Sequence, residues 1–207
     1  MSGDSYTGFD EGAAKLWDQW SRAISSNTVV QLRTVTAPPF APTYSLSTLD
    51  TSTATADAHW LQIMAGPLNR LLVQRIRVYQ TVAATAATLG KWSLFRLTTA
   101  GTGGTSVTFQ PLDPIDAATP ATAMTRPSAK GTEGTKLATG SLVMLAAAGT
   151  VTAGVDLLLL DLDWRSDLSK APTIAAGASN GLAFKSETDI AGGSVRFDVE
   201  TTELFWG

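Results

Sequence analysis

Arg70-Leu-Leu-Val-Gln-Arg-Ile-Arg-Val-Tyr-Gln-Thr-Val82 contains neither glycine nor proline, and its reading decides the fold. One parity, Leu72, Ile76, Val78 and Val82, is apolar apart from Gln74 and Gln80. The other sets Arg75, Arg77 and Thr81 beside Leu71, Val73 and Tyr79. Successive side chains of a strand point to opposite faces, so the pattern predicts a central strand with one buried face and one mixed face. Leu72, Ile76 and Val78 are expected to anchor a core, and Arg75, Arg77 and Tyr79 to face outward.

Further strand signals lie on both sides of this segment. Residues 58–64, with His59, Trp60, Leu61 and Ile63, precede it across Ala65-Gly-Pro-Leu-Asn69, a spacer short enough to predict a hairpin. Lys91-Trp-Ser-Leu-Phe-Arg-Leu-Thr98 follows, and a Gly/Thr turn at 100–105 is expected to lead it back as 106–110. Periodicity then fails. Residues 111–140 hold Pro111, Pro114, Pro120 and Pro127 with many Ala and Thr, and are expected to form a long irregular excursion. Order resumes at 141–145 and at Val155-Asp-Leu-Leu-Leu-Leu-Asp-Leu-Asp-Trp164, whose first half is apolar on both parities and so calls for a second covering element.

The last two strands, 181–189 and 194–202, flank Ile190-Ala-Gly-Gly193. Closed as a hairpin, they would set Glu187 opposite Arg196, Lys185 opposite Asp198 and Phe184 opposite Val199. With no helical crossover between strand candidates, the sheets should be antiparallel. The expected fold class is all-β: an antiparallel jelly-roll-like β-sandwich over residues 43–207, with an N-terminal helix-containing arm. An immunoglobulin-type topology is the alternative.

The arm covers residues 1–42. Ala13, Leu16, Trp17, Trp20 and Ile24 fall three and four apart and predict a short amphipathic helix. Its apolar stripe must dock either on its own sandwich or on a neighbour, because a lone helix of about fourteen residues is marginal in water. A strand candidate at 28–36 follows. Pro38, Pro39 and Pro42 then mark the boundary with the main domain.

Composition narrows the function classes. The 207 residues include no cysteine, so disulfides and thiolate metal sites are excluded. Only 16% are charged and the formal net charge is −3; a basic stripe with interleaved aromatics is missing, which argues against nucleic acid. The start is polar and acidic, without the pattern of a secretory signal. The longest apolar run, 157–160, falls far short of the roughly 20 residues of a membrane-spanning helix, so a soluble protein is expected.

Candidate chemistry is sparse. His59 is the single histidine and has no second His or Cys to work with, so a structural role is expected. Asp161 and Asp163 share a face as a carboxylate pair would, but more commonly form a solvated edge. Gly101-Thr-Gly-Gly104 lacks the Lys and helix of a phosphate loop. No catalytic, metal or cofactor site is expected, and the chain is not read as an enzyme. The six tryptophans, Trp17, Trp20, Trp60, Trp92, Trp164 and Trp206, suit a sugar platform or a core equally.

Taken together, Leu72-Val-Gln-Arg-Ile-Arg-Val-Tyr-Gln-Thr81, Leu94-Phe-Arg-Leu-Thr98, the Gly/Thr turn, the Pro/Ala/Thr-rich stretch, Leu157-Leu-Leu-Leu-Asp-Leu-Asp-Trp164, Gly181-Leu-Ala-Phe-Lys185 and Gly193-Ser-Val-Arg-Phe-Asp-Val199 resemble the small all-β head decoration, or cement, proteins of tailed bacteriophages. The resemblance spans about residues 55–205. It implies a structural virion protein that binds the outside of the assembled capsid through the major capsid protein. Such a protein works as a homotrimer locking neighbouring capsomers, and is soluble in the host cytoplasm before assembly. The contact candidates are Leu16, Trp17, Trp20 and Ile24 for arm docking, Leu157 and Leu159 for subunit contact, and the mixed face of Arg75, Arg77 and Tyr79. The competing expectation is a carbohydrate- or receptor-binding module of a phage fibre or tail, using exposed tryptophans and the 111–140 stretch.

Overall fold

A computed structural model describes residues 41–146 and 156–204. The expected arm helix with Leu16, Trp17, Trp20 and Ile24, the 28–36 strand, and Pro38 and Pro39 of the proline boundary lie outside the described residues.

The described chain forms strands β1 (Thr43–Ser47), β2 (Thr51–Ser52), β3 (Ala58–Met64), β4 (Arg70–Val82), β5 (Thr88–Leu97), β6 (Thr105–Val107), β7 (Gln110–Pro111), β8 (Thr122–Thr125), β9 (Glu133–Met144), β10 (Leu157–Asp163), β11 (Thr173–Ile174), β12 (Gly181–Ser186) and β13 (Ser194–Leu204). They make two antiparallel sheets. The seven-stranded sheet runs β10-β4-β13-β1-β7, with β11 beside β4 and β2 beside β13; the six-stranded sheet runs β6-β8-β3-β12-β5-β9. The long pairings are nested: β1 with β13, β3 with β12, β4 with β10, β5 with β9. The chain thus folds back on itself as one long ribbon whose successive rungs alternate between the two sheets.

This nesting overturns both expected hairpins around the central strands. β3 and β4 lie in different sheets, and so do β12 and β13; each short loop arches across the sandwich. Phe184 therefore faces Phe197 edge-on at 5.2 Å across the core, and does not sit beside Val199. Val199 pairs with Ile76 and Leu46, and Asp198 with Arg77. Nor does β5 turn back on 106–110: β6 pairs with β8. Apolar and charge complementarity are satisfied by other partners, which is why adjacent strands can look matched and still separate.

β4 is central, flanked by β13 on one side and by β10 and β11 on the other. Leu72, Ile76 and Val78 are buried, and Arg75, Arg77 and Tyr79 lie on the outer face, half-buried. Two departures have one cause. Between Val73 and Arg75 the pairing with β13 shifts, leaving Gln74 extra; such a bulge reverses the parity. Leu71 and Val73 consequently join the core, and Leu72, expected there, is buried but lies outside the core cluster. A second shift near Thr81 accompanies the exposure of Val82. The amide of the fully buried Gln80 serves as a substitute backbone unit. It donates to the Leu145 carbonyl at 2.7 Å and accepts from the Leu145 N–H at 2.9 Å, tying the end of β9 to the opposite sheet.

The core centres on Phe184, stacked on Trp60 at 6.2 Å and on Trp92 at 5.1 Å. Trp60 reaches it through a bulge, being the extra residue between the Leu61–Phe184 and His59–Lys185 pairs. Residues 111–140 are not an irregular excursion: they contain β8 and most of β9. Phe109 is buried, Pro111 pairs with Tyr44 at the sheet edge, and the Tyr44 hydroxyl donates to the Ala117 carbonyl at 2.9 Å. The stretch closes one side of the sandwich, adding β7 beside β1 and β8 beside β3. Proline is tolerated there because an edge strand has no second ladder to feed.

Candidate functional site

Three places on the outside of the sandwich carry chemistry. On the outer face of the seven-stranded sheet, register sets Arg75 between Glu200 and Asp163, Arg77 between Asp198 and Asp161, and Tyr79 between Arg196 and Leu158. The ion pairs run along diagonals as well. Arg75 binds Asp161 through two bonds, 2.8 and 2.5 Å, and reaches Asp163 at 3.7 Å. Arg77 meets Glu200 at 3.3 Å, and Arg165 spans Asp163 at 2.6 Å and Glu200 at 3.3 Å. Arg196 pairs with Asp156 and lies over the Tyr79 ring at 5.0 Å, while the Ser47 hydroxyl donates to Asp198 at 2.7 Å. The bond from Arg75 holds the Asp161 carboxyl below its ordinary range, and Arg165 holds Asp163 down at about 2. Both aspartates are thus held in the charged form at neutral pH and paired with guanidiniums, unlike a carboxylate pair that shares a proton. Among the described residues no group of three or more His, Cys, Asp or Glu is placed to hold a metal.

The second place is apolar. Leu89 and Val143 are direct cross-strand partners and both are exposed; Leu145 follows two residues on, and Leu157 and Leu158 stand opposite Gln80 and Tyr79. Val82 is exposed as well, and the edge strands β9 and β10 are in contact. Leu157, a contact candidate, is exposed. Leu159 is not: a bulge between Leu158 and Leu160 turns it against the core of its own sandwich, and Leu158 takes the outward position.

The third place leaves little trace in the sequence. His59 is fully buried on the outer side of the six-stranded sheet. Its Nδ1 accepts from Gln62 Nε2 at 2.6 Å, and Gln62 Oε1 accepts the Gly101 N–H at 2.8 Å. The amide orientation is therefore dictated by a backbone donor, and the imidazole is neutral with its proton on Nε2, donating to Glu133 Oε1 at 2.9 Å. Burial pulls the His59 pKa down, and the bond to Glu133 only partly opposes it. Burial pushes Glu133 up, but the bonds from His59 and Lys185 outweigh it, and its pKa is lowered. Lys185 lies 3.1 Å from Glu133 and also binds Asp57, which a second lysine, Lys130, reaches at 2.5 Å. The network pins residues 99–133 to the sheet. Beside it, between Thr55–Ala58 and 126–130, lies an open pocket of about 550 Å³. Its makers stand some 70 residues apart, and only the turn-forming character of Ala-Asp-Ala and Thr-Arg-Pro in the sequence hints at it.

Trp60 and Trp92 are core residues and Trp164 packs against the core, so none of these three forms an exposed sugar platform; Trp17, Trp20 and Trp206 lie outside the described residues. Compared with family models, curated proteins and solved structures, the chain shows no match.

Proposed function

We propose that this chain is a non-enzymatic structural protein that binds the outer surface of an assembled phage capsid and cements neighbouring capsomers, working as a homo-oligomer of trimeric type. The fold we propose for it is a jelly roll, a reading supported by the nested order β1-β13-β4-β10 and β3-β12-β5-β9, which two interleaved antiparallel keys produce. The observation that carries the function is the set of exposed apolar residues on and beside the contacting edge strands β9 and β10: Leu89, Val143, Leu145, Leu157 and Leu158. Exposed apolar surface favours protein contact over chemistry. Next to it the Arg75–Arg77 ladder is internally neutralised, so it suits an interface that needs orientation without net charge. Cementing then follows from mass action: a protein that binds only the assembled shell stabilises it, and contacts from linked subunits add as avidity of about 10²–10⁴.

The test is the mass of the full chain in solution, followed by co-sedimentation with empty capsids of its source phage. Leu158→Asp should reduce both association and capsid retention while the far-ultraviolet circular dichroism stays unchanged. A wild-type chain that stays monomeric and does not sediment with capsids overturns the proposal.

A further inference from the structure

We propose that the pocket between Thr55–Ala58 and residues 126–130 binds the carboxylate-bearing end of an acidic sugar, a binding activity beyond cementing. Its backbone singles it out. Among the described residues three that are not glycine have φ in the left-handed range: Thr55 at 137°, Asp57 at 58° and Arg126 at 46°. All three line this one pocket. Elsewhere the same need is met by glycine, at Gly103, Gly177 and Gly192. A β-branched or long residue in that region is costly and persists only when the surroundings over-determine it, and such strain concentrates at ligand clamps. Here the surroundings do so: the Thr55 N–H donates to Asp189 at 3.1 Å, Arg126 Nη2 to the Ala54 carbonyl at 3.1 Å, and Lys130 to Asp57 at 2.5 Å.

The lining selects the ligand. Arg126 is exposed, and its planar fork matches a carboxylate in two parallel bonds. Lys130 adds a second positive charge, with Lys185 behind. A small inorganic anion would have to face Asp57, the one acidic lining residue, without using it. A sugar hydroxyl uses it, because a hydroxyl donates to a carboxylate and accepts from Ser128, Thr55 or Lys130. The Pro127 ring and Ala58 offer the apolar contact that the face of a pyranose needs. A volume of about 550 Å³ holds one or two sugar rings. A neutral sugar would leave Arg126 without its counter-charge.

The experiment is an amide-resonance titration of the full chain with methyl glucuronide and methyl glucoside, which differ only in the carboxylate, alongside acetate. Glucuronide should shift the resonances of residues 54–58 and 126–130 at least tenfold more tightly than either control. Arg126→Asn should lose at least tenfold, since asparagine tolerates the left-handed backbone and keeps the turn. Asp57→Asn removes the carboxylate that both lysines share, leaving them Glu133 alone, and should narrow the preference for glucuronide over acetate. The proposal is overturned if glucoside or acetate binds as tightly as glucuronide, if nothing shifts at tens of millimolar, or if a folded Arg126→Asn binds unchanged. Capsid retention is a separate readout, so failure here leaves cementing standing and the reverse also holds.

Discussion

Replacing Arg77 with glutamate reverses a charge that the fold brackets with carboxylates, so its cost can be worked from the register. Arg77 lies 3.3 Å from Glu200, with side chains 28% and 21% exposed; losing a pair of that kind removes about 0.5–1 kcal/mol. The new carboxylate then stands directly opposite Asp161 on β10 and Asp198 on β13, with Glu200 one row away. Like charges at direct cross-strand positions cost up to about 1 kcal/mol each. The total is about 2–3 kcal/mol. For a chain of this size each kcal/mol moves the melting temperature by about 2–4 °C, so Arg77→Glu should melt about 5–10 °C below the wild type at low salt. Arg77→Gln loses only the pair, and should fall by about 2–4 °C. The difference between the two variants is repulsion, so it should shrink as salt approaches 1 M, where screening acts within about 3 Å. Thermal denaturation followed by near-ultraviolet circular dichroism at two salt concentrations measures both. If the two variants melt together at low salt, Arg77 does not stand between Asp161 and Asp198 and the β10-β4-β13 register is wrong. If Arg77→Glu is unfolded at 25 °C, the outer face of β4 has been misassigned.

Phe184→Ala removes the ring that Trp60 and Trp92 stack on and that Phe197 meets edge-on; urea denaturation should show a loss of about 3–5 kcal/mol, with a collapsed near-ultraviolet tryptophan signal. Gly140→Ala would place a methyl 2.8 Å from the Trp92 ring and should cost about 1–3 kcal/mol in the same assay, unless β9 moves away from β5. The His59 corner makes the domain acid-sensitive: the folded pKa of His59 lies below its unfolded value of 6.5, so the unfolded chain takes up the proton first and stability falls as pH drops below about 6.5. Glu133 and Asp57, the latter held at about 2, act in the same direction at lower pH, because their lowered pKa values add stability that protonation removes. Urea midpoints from pH 8 to 4 should decline accordingly, and nitrogen-detected NMR at pH 6 should find His59 neutral with the proton on Nε2; an imidazolium there contradicts the network.

The layer architecture was legible because period-two patterning survives in the longest strands. Ile76 and Val78 are in the core and Arg75, Arg77 and Tyr79 outward, as alternation requires, whereas Leu72, beyond the bulge, is buried outside the core cluster. What alternation cannot carry is a single inserted residue. Gln74, Trp60 and Leu159 each sit at a register shift, and each moves its neighbours to a face that strict parity denies them. Partner choice was also illegible. The Glu187–Arg196 and Lys185–Asp198 matches look favourable, yet Glu187 instead accepts from Ser93 at 2.7 Å and lies 3.3 Å from Lys136, and Lys185 turns to Glu133. Surface charges have many acceptable partners, so complementarity between two strands is weak evidence that they touch. His59 shows its isolation in sequence correctly, but its partners Gln62 and Glu133 come from the same strand and from one 74 residues away. Only the closure of 99–133 over the sheet brings the last of these within reach.

The two open edges explain why association should be specific and not sheet-extending. An unprotected edge strand invites pairing along its whole length. Each sheet ends on one very short strand, β7 of two residues and β6 of three, which leaves β9 and β10 as the long edges. β10 is guarded at its far end by Asp161, Asp163 and Arg165, already locked in ion pairs, and is broken by the bulge at Leu159. β9 carries Lys136, tied to Glu187, and the register breaks opposite Phe95. The ion-paired guards Lys136, Asp161, Asp163 and Arg165 are separate in sequence from the exposed Val143, Leu145, Leu157 and Leu158. A partner that slid along either edge would strip ion pairs and meet bulges, whereas one that docked on Val143, Leu145, Leu157 and Leu158 would bury apolar surface beside a single ion pair, Arg196–Asp156. The same residues that block open-ended β-extension would therefore favour the proposed association through side-chain docking, which a closed oligomer needs, over sheet extension.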